Sequence, residues 1–428
     1  MNAVAPAAEP DTRAKTGDGY LFGPGPAWFA FAMTLALMVV DYVDRQVIVS
    51  LFPYMKAEWA LSDKQLGALV SVVSVTVALG ALPVALFADR VSRVRSIVAM
   101  ALVWSAATIS CMFARGYGAL LGARSLVGLG EAGYGSVGAA LIASHFPARL
   151  RGTLLAGFFA AASVGSVLGV MLGGLIAARW GWKAAFGVVG VPGLVLALLY
   201  LKVRDYRTVA LDPGRTAAAR SPAAAAVFAA KALFRARSML WVCIGGALQL
   251  VVVSALWSWL PSFLNRVHGI APEQAAVKAA LVVLAGAVGS LVWGGVVDRA
   301  AVGRPRWRLH AMALLCLLAM GLLVGAFMHE PGTLQFALIG LGGFVATCTV
   351  GPVSAVVIDV VHPGVRATGA SVLALFQNLF GLALGPLVAG ALSDTLGITT
   401  ALTLTPAFGL LAAVAFWRAS RHYEHDLR

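Results

Sequence analysis

The sequence predicts an all-α polytopic membrane protein, with twelve transmembrane helices in two pseudo-symmetric six-helix bundles. Three observations carry that prediction. Of the 428 residues, 60% are hydrophobic and only 12% charged, against roughly a quarter charged in an ordinary soluble domain. Apolar runs of about 20 residues, long enough to cross a hydrocarbon core, recur along nearly the whole chain. Two short signatures occur once in each half, as an internal duplication requires. The 47 glycines agree, because small residues let helices approach closely in lipid.

The chain divides in order as follows. Residues 1–26 begin with a polar, Pro/Ala-rich stretch that lacks the basic and apolar regions of a signal peptide. They read as a disordered cytoplasmic tail. The first bundle, 27–202, holds spans near 27–51, 65–87, 96–113, 120–143, 153–177 and 184–201. Residues 203–237 are charged at both ends, Ala-rich between, and broken by Asp212-Pro213, so they read as a cytoplasmic linker with a short surface helix. The second bundle, 238–418, holds spans near 238–263, 274–297, 311–327, 334–358, 368–392 and 399–417. Residues 419–428 form a second cytoplasmic tail.

The net charge of +14 reports topology. With the amino terminus inside, loops and tails on that side hold 23 of the 32 Lys and Arg, the positive-inside asymmetry. Both termini are then cytoplasmic, the membrane is the cell's inner (plasma) membrane, and anionic lipid headgroups suffice as counterions. No nucleic-acid partner is expected. Cys111, Cys243, Cys316 and Cys348 lie in apolar runs without metal-ligand spacing and read as free small hydrophobes. A monomer without cofactor or metal is expected.

Charge inside a span is costly, about 2.5 to 3.5 kcal/mol for one Arg, Lys or Asp at the bilayer centre. Span four nevertheless carries Arg124 and Glu131, which with Gly128 fall on one helical stripe at i, i+4 and i+7. That stripe reads as the wall of a solute pathway. Span one carries Asp41, Asp44 and Arg45, with Asp41 and Arg45 on one face at i+4. At 1.5 Å per residue, Asp41 lies near mid-membrane and the other two about a turn beyond it.

The repeated signatures lie at the cytoplasmic ends of spans. Ala85-Leu-Phe-Ala-Asp89-Arg90-Val-Ser-Arg93 after span two recurs after span eight as Gly294-Gly-Val-Val-Asp298-Arg299, and Arg149-Leu-Arg151-Gly-Thr153 is echoed by Arg366-Ala-Thr368. With them, the whole chain resembles the major facilitator superfamily. Three further stretches resemble its Spinster family of lysolipid and sphingolipid transporters: Asp41-Tyr-Val-Asp44-Arg45, Arg124-Ser-Leu-Val-Gly128-Leu-Gly130-Glu131-Ala-Gly133-Tyr134, and Trp257-Ser-Trp259-Leu-Pro261. Asp41 stands where that family usually has Asn, and Gly133 where it has Ser.

The resemblance implies that spans one and four adjoin, which sets Arg124 at the level of Asp44 and Glu131 at that of Asp41. It also puts the family's acid at Asp44. A carboxylate beside a guanidinium is held ionised, while burial and a second acid favour its neutral form, so it can exchange a proton. Asp44, or Asp41 in the same cluster, is therefore the expected proton-binding group, its protonation releasing Arg124 for an anionic headgroup. Asp89, Arg90, Arg93, Arg149, Arg151, Asp298, Arg299 and Arg366 are the expected cytoplasmic gate, with Asp89 pairing to Arg149 or Arg151. Asp359 is expected to pair with Arg366 or another basic residue. In the second bundle Gln249, Gln377 and Asn378 are candidate cavity residues, and Trp257 and Trp259 are placed near the outer interface, where aromatic belts form.

The expected function is proton-coupled secondary transport of an amphipathic anion such as a lysophospholipid. The rival is a symporter of small organic anions, sugar acids or carboxylates. The second bundle offers no mid-span Lys or Arg as a second clamp, which favours the amphipath. An enzyme is not expected, since the seven histidines read as loop or tail residues, and no GxxxxGK loop points to ATP.

Overall fold

The computed structural model describes residues 19–205, 237–361 and 366–427, except for the side chains at 82, 85–86, 89–91 and 366–368. Twelve helices among them are long and apolar enough to cross a membrane. They are α1 (Pro24–Trp59), α2 (Asp63–Val91), α3 (Arg93–Met112), α4 (Tyr117–His145), α5 (Ala148–Trp180) and α6 (Trp182–Tyr200), then α7 (Arg237–His268), α8 (Pro272–Ala300), α9 (Trp307–Met328), α10 (Thr333–Val360), α11 (Gly369–Leu396) and α12 (Ile398–Asp426). The described residues contain no strand.

Within the first half, α1 lies against α5 because glycines at every fourth position of α5 remove the side chains between them. A Cβ on Gly169 would stand 2.6 Å from the carbonyl oxygen of Val43, and one on Gly173 2.6 Å from that of Val47, with Gly165 equally close to Val39. In lipid such backbone approach supplies the van der Waals contact that apolar burial cannot. The two halves meet along α5 with α8 and α2 with α11.

The halves are joined at one end only. A single apolar core containing Leu51, Phe52, Trp259, Phe263 and Ala279 crosses between them at the end away from the termini. At the terminal end the core divides, with Tyr20, Val94, Phe146 and Tyr200 in one half and Met239, Val361 and Tyr423 in the other. The described hydrogen bonds between halves follow the same division. Asp63 at the start of α2 takes Lys56 Nζ at 2.6 Å and both Nη groups of Arg266 at 2.7 and 2.8 Å, with Ser393 Oγ at 2.5 Å. Asp394 accepts from the amides of Asp63 and Lys64 at 2.7 and 2.9 Å, so an acid of α11 caps the N-terminus of α2. The molecule is closed at the far end and parted toward the termini.

Five spans depart from the continuous α-helix that the sequence predicts: α1 and α12 carry short 3₁₀ turns at Ile48–Leu51 and Thr405–Ala407, and three others are interrupted near their middles. α4 stops at Glu131 and restarts at Tyr134, with Gly133 at φ +85°, a conformation that L side chains resist. The equivalent α10 stops at Ala346 and restarts at Val350. In α11, Gln377–Leu382 is π-helical. Carbonyls loosened by that wider turn are met from both halves, by Ser254 Oγ on Gly381 at 3.2 Å and Ser71 Oγ on Ala383 at 2.5 Å. Interruption is tolerated in lipid only where protein supplies such partners.

Both expected tails are partly structured. Residues 1–18 lie outside the described residues, but Tyr20 packs edge-on against Phe146 and the amide of Leu21 donates to His145 at 3.2 Å. At the other terminus α12 continues to Asp426, whose carboxylate caps α7 through the amide and hydroxyl of Ser238 at 2.9 and 2.7 Å. Of the expected linker, residues 206–236 lie outside the described residues. His145 is not a loop residue: it ends α4 and is buried.

Candidate functional site

Helices α1 and α4 bring five charges together, and α3 adds a hydroxyl to them. Asp44 Oδ1 lies 3.2 Å from Arg124 Nη1, and its other oxygen accepts from the hydroxyl of Thr108 on α3. Arg45 Nε lies 3.3 Å from Asp41 Oδ1, a helical turn away, and 3.0 Å from Glu131 Oε2 on α4. Its guanidinium also stands 5.2 Å from the centre of the Tyr42 ring, within cation–π range. Asp41, Asp44, Arg124 and Glu131 are buried.

Two features of this cluster follow from its chemistry. Three carboxylates face two guanidinium groups, so with Asp44 and Arg124 closed on each other, Asp41 and Glu131 share one cation. A buried site tolerates such an excess poorly, and a proton on either acid removes it. Secondly, the Arg45 side chain is 18% exposed and that of Arg124 only 1%. Arg45, rather than Arg124, is the partly exposed cation of the cluster.

The stripe Arg124, Gly128 and Glu131, expected from the sequence to wall a solute pathway, is buried among helices in this state. It packs inward. A Cβ on Gly128 would stand 2.5 Å from the Val73 carbonyl oxygen of α2, and one on the neighbouring Gly130 2.6 Å from the Trp104 nitrogen of α3. A cation and an acid at that depth find their partners on α1, so the stripe binds helices together. The sequence also left Thr108 unassigned, along with the hydroxyl link from Tyr134 to Thr34 O at 2.6 Å and from Thr34 Oγ1 to Tyr200 at 2.8 Å. Polar residues recurring in otherwise apolar spans were the available signal.

In the second half Gln249 is buried. Its Nε2 donates to the Ala346 carbonyl at 2.9 Å, the group freed where α10 stops. Gln377 and Asn378 open the π-helical turn and are half-buried, with Asn378 Nδ2 donating to Ala374 O at 2.9 Å. Trp259 is not a belt residue: it is buried at the junction of the halves, its ring 5.2 Å from that of Phe52 and its Nε1 donating to Pro386 O at 3.0 Å.

Of the expected gate, the side chains of Asp89, Arg90 and Arg366 lie outside the described side chains. The others make their described bonds within their own half. Arg93 donates to Ser144 Oγ at 3.2 Å and Arg151 to Phe146 O at 3.0 Å. Arg308 pairs with Asp298 at 3.3 Å and Asp359 at 2.6 Å. Arg149 and Arg299 are exposed. This agrees with halves that part at the terminal end.

Comparison with known proteins gives a consistent result. The sequence profile described as Major Facilitator Superfamily matches residues 34–382. An "MFS-type efflux pump" of Mycolicibacterium smegmatis is 30% identical over 420 residues, 95% of each chain, and a "Gallate transporter" of Pseudomonas putida is 28% identical over 90% of this chain and 91% of its own. A solved bacterial homologue of the human lysosomal transporter Spinster, in an inward-facing and unoccupied conformation, shares the fold at a TM-score of 0.83, with 23% identity over 95% of this chain and 99% of that one. This chain, a multi-pass integral membrane protein with twelve spans, belongs to the major facilitator superfamily of membrane transporters.

Proposed function

We propose that this transporter works by alternating access and couples the movement of an organic anion to that of a proton, the favoured substrate being an amphipathic anion such as a lysophospholipid. The observation that carries the reading is the sharing of the partly exposed Arg45 by two buried carboxylates. A proton arriving on Asp41 or Glu131 neutralises one of the two acids competing for that guanidinium. The freed charge can meet an anion, and loss of the proton re-engages it. Asp44, held by Arg124 and Thr108, is a second exchangeable position and ties α1 to α4 in either state.

The closed far end is, on this reading, the outer side of the inner membrane, so the state described faces inward. Both termini are cytoplasmic, as the distribution of Lys and Arg indicates. The outward-facing state then requires the Asp63 junction to part and the residues around Arg93, Arg149, Arg151 and Asp298 to meet across the halves. Asp44→Asn and Arg45→Gln in proteoliposomes test the mechanism. Proton coupling is wrong if Asp44→Asn, Asp41→Asn and Glu131→Gln all transport at wild-type rates with unchanged pH dependence.

A small organic anion is the second reading, and the match to the gallate transporter over most of both chains favours it. The amphipath is favoured by the second half, where Arg266 is committed to Asp63 and no Lys or Arg lies mid-span to clamp a second carboxylate. Uptake of a lysophospholipid and of gallate by the same proteoliposomes separates the two.

A further inference from the structure

At the terminal end, α7 and α12 carry a group of cations and indoles that the transport reading leaves unused. Arg418 stands with its guanidinium 5.0 Å from the centre of the Trp241 ring, and Arg421 3.8 Å from that of Trp417. Trp417, Arg418 and Arg421 share one exposed face of α12, and Arg237 is exposed at the start of α7. Nearby acids are committed elsewhere. Asp426 caps α7 through Ser238, and Glu424 pairs with Arg306 at 3.6 Å. Among the described residues no acid pairs with Arg237, Arg418 or Arg421.

We propose that this face of α7 and α12 is a binding site for the headgroup of an anionic phospholipid of the surrounding leaflet. Charge complementarity names the occupant. Three guanidinium groups without acids sit where apolar helix gives way to polar, at the depth of lipid phosphates. The indoles of Trp241 and Trp417 fit the boundary below them and lie within cation–π range of two of the guanidinium groups, whose N–H groups suit phosphate oxygens. A zwitterionic lipid offers the same phosphate but cancels its charge. Free phosphate lacks the acyl chains that the apolar flanks of both helices would cover. The inference does not depend on what is transported or on proton coupling.

The test is native mass spectrometry of the purified carrier with phosphatidylglycerol, phosphatidylcholine or inorganic phosphate, on wild type and Arg418→Gln/Arg421→Gln. Each basic residue near an anionic surface contributes about a factor of 5 to 6 in binding, so the double variant should bind phosphatidylglycerol roughly 30-fold more weakly. Wild type should retain phosphatidylglycerol over the other two probes. Retention undiminished in the double variant, or equal retention of phosphatidylcholine, overturns the proposal. Arg418→Lys/Arg421→Lys keeps the charge and should recover most of the binding. If both double variants lose it while their thermal stability stays at the wild-type value, charge is not what binds and the proposal fails.

Discussion

Arg45 and Arg124 are both guanidinium groups inside membrane-spanning helices, yet their burial assigns them different consequences. Arg124→Gln leaves Asp44 buried without a cation, a loss that costs about 3 to 5 kcal/mol when one partner of a buried pair is removed. A marked fall in thermal stability in detergent is expected, together with loss of uptake. Arg45→Gln should leave stability closer to wild type, because a shared and partly exposed cation is lost from a site that can take up a proton. On the proposed mechanism it should weaken anion binding by at least about tenfold, the factor that 1.4 kcal/mol represents. Equal loss of stability in both variants would count against the division. The sequence shows that these residues share a depth, since spacing along a helix fixes axial height. It does not show which face the neighbours cover, so it could not tell that the Arg124 stripe, read as a pathway wall, is buried in this state.

At the scale of helices, packing is decided by small residues at specific positions. Gly169→Ala should destabilise the carrier by about 1 to 3 kcal/mol, the usual cost of forcing a methyl into a packed contact, because its Cβ would meet the Val43 carbonyl. Gly122→Ala is the control, since nothing lies within 4 Å of that Cβ. Thermal unfolding of the two variants side by side checks this. Gln249→Leu tests the α10 break: it leaves the Ala346 carbonyl without its donor, a loss of about 1 to 3 kcal/mol for a buried acceptor. Apolar length predicted the spans well, but the breaks at Gly133 and Thr347 and the π-turn at Gln377 escaped it. Hydropathy averages over about 20 residues, whereas a break needs only two or three whose freed carbonyls are met from other helices.

Across the molecule, the junction at Asp63 is what the proposed alternating access would have to open. Asp63→Asn should weaken it by about 1.5 to 3 kcal/mol, the range for hydrogen bonds to a charged group, and shift the equilibrium roughly 10- to 150-fold away from the far-end-closed state. A cysteine placed at Leu260, buried in the closed state, should then react faster with an impermeant thiol reagent added from that side. Cys111, Cys243, Cys316 and Cys348 are buried and free and give little background. An unchanged rate would mean that the apolar core around Phe52 and Trp259 suffices to hold the end shut.

The sequence by itself determined that the chain spans a membrane twelve times as two related halves, and that spans one and four carry charges of both signs. Hydropathy, repeat spacing and helical rise are local or periodic quantities, and a linear sequence carries them whole. Only the tertiary structure decided that Asp41 and Glu131 share Arg45, that Thr108 completes Asp44, that Trp259 is buried, and that the halves close at one end. Those facts depend on which helix faces land against each other, and each landing is fixed jointly by residues from helices far apart in the chain.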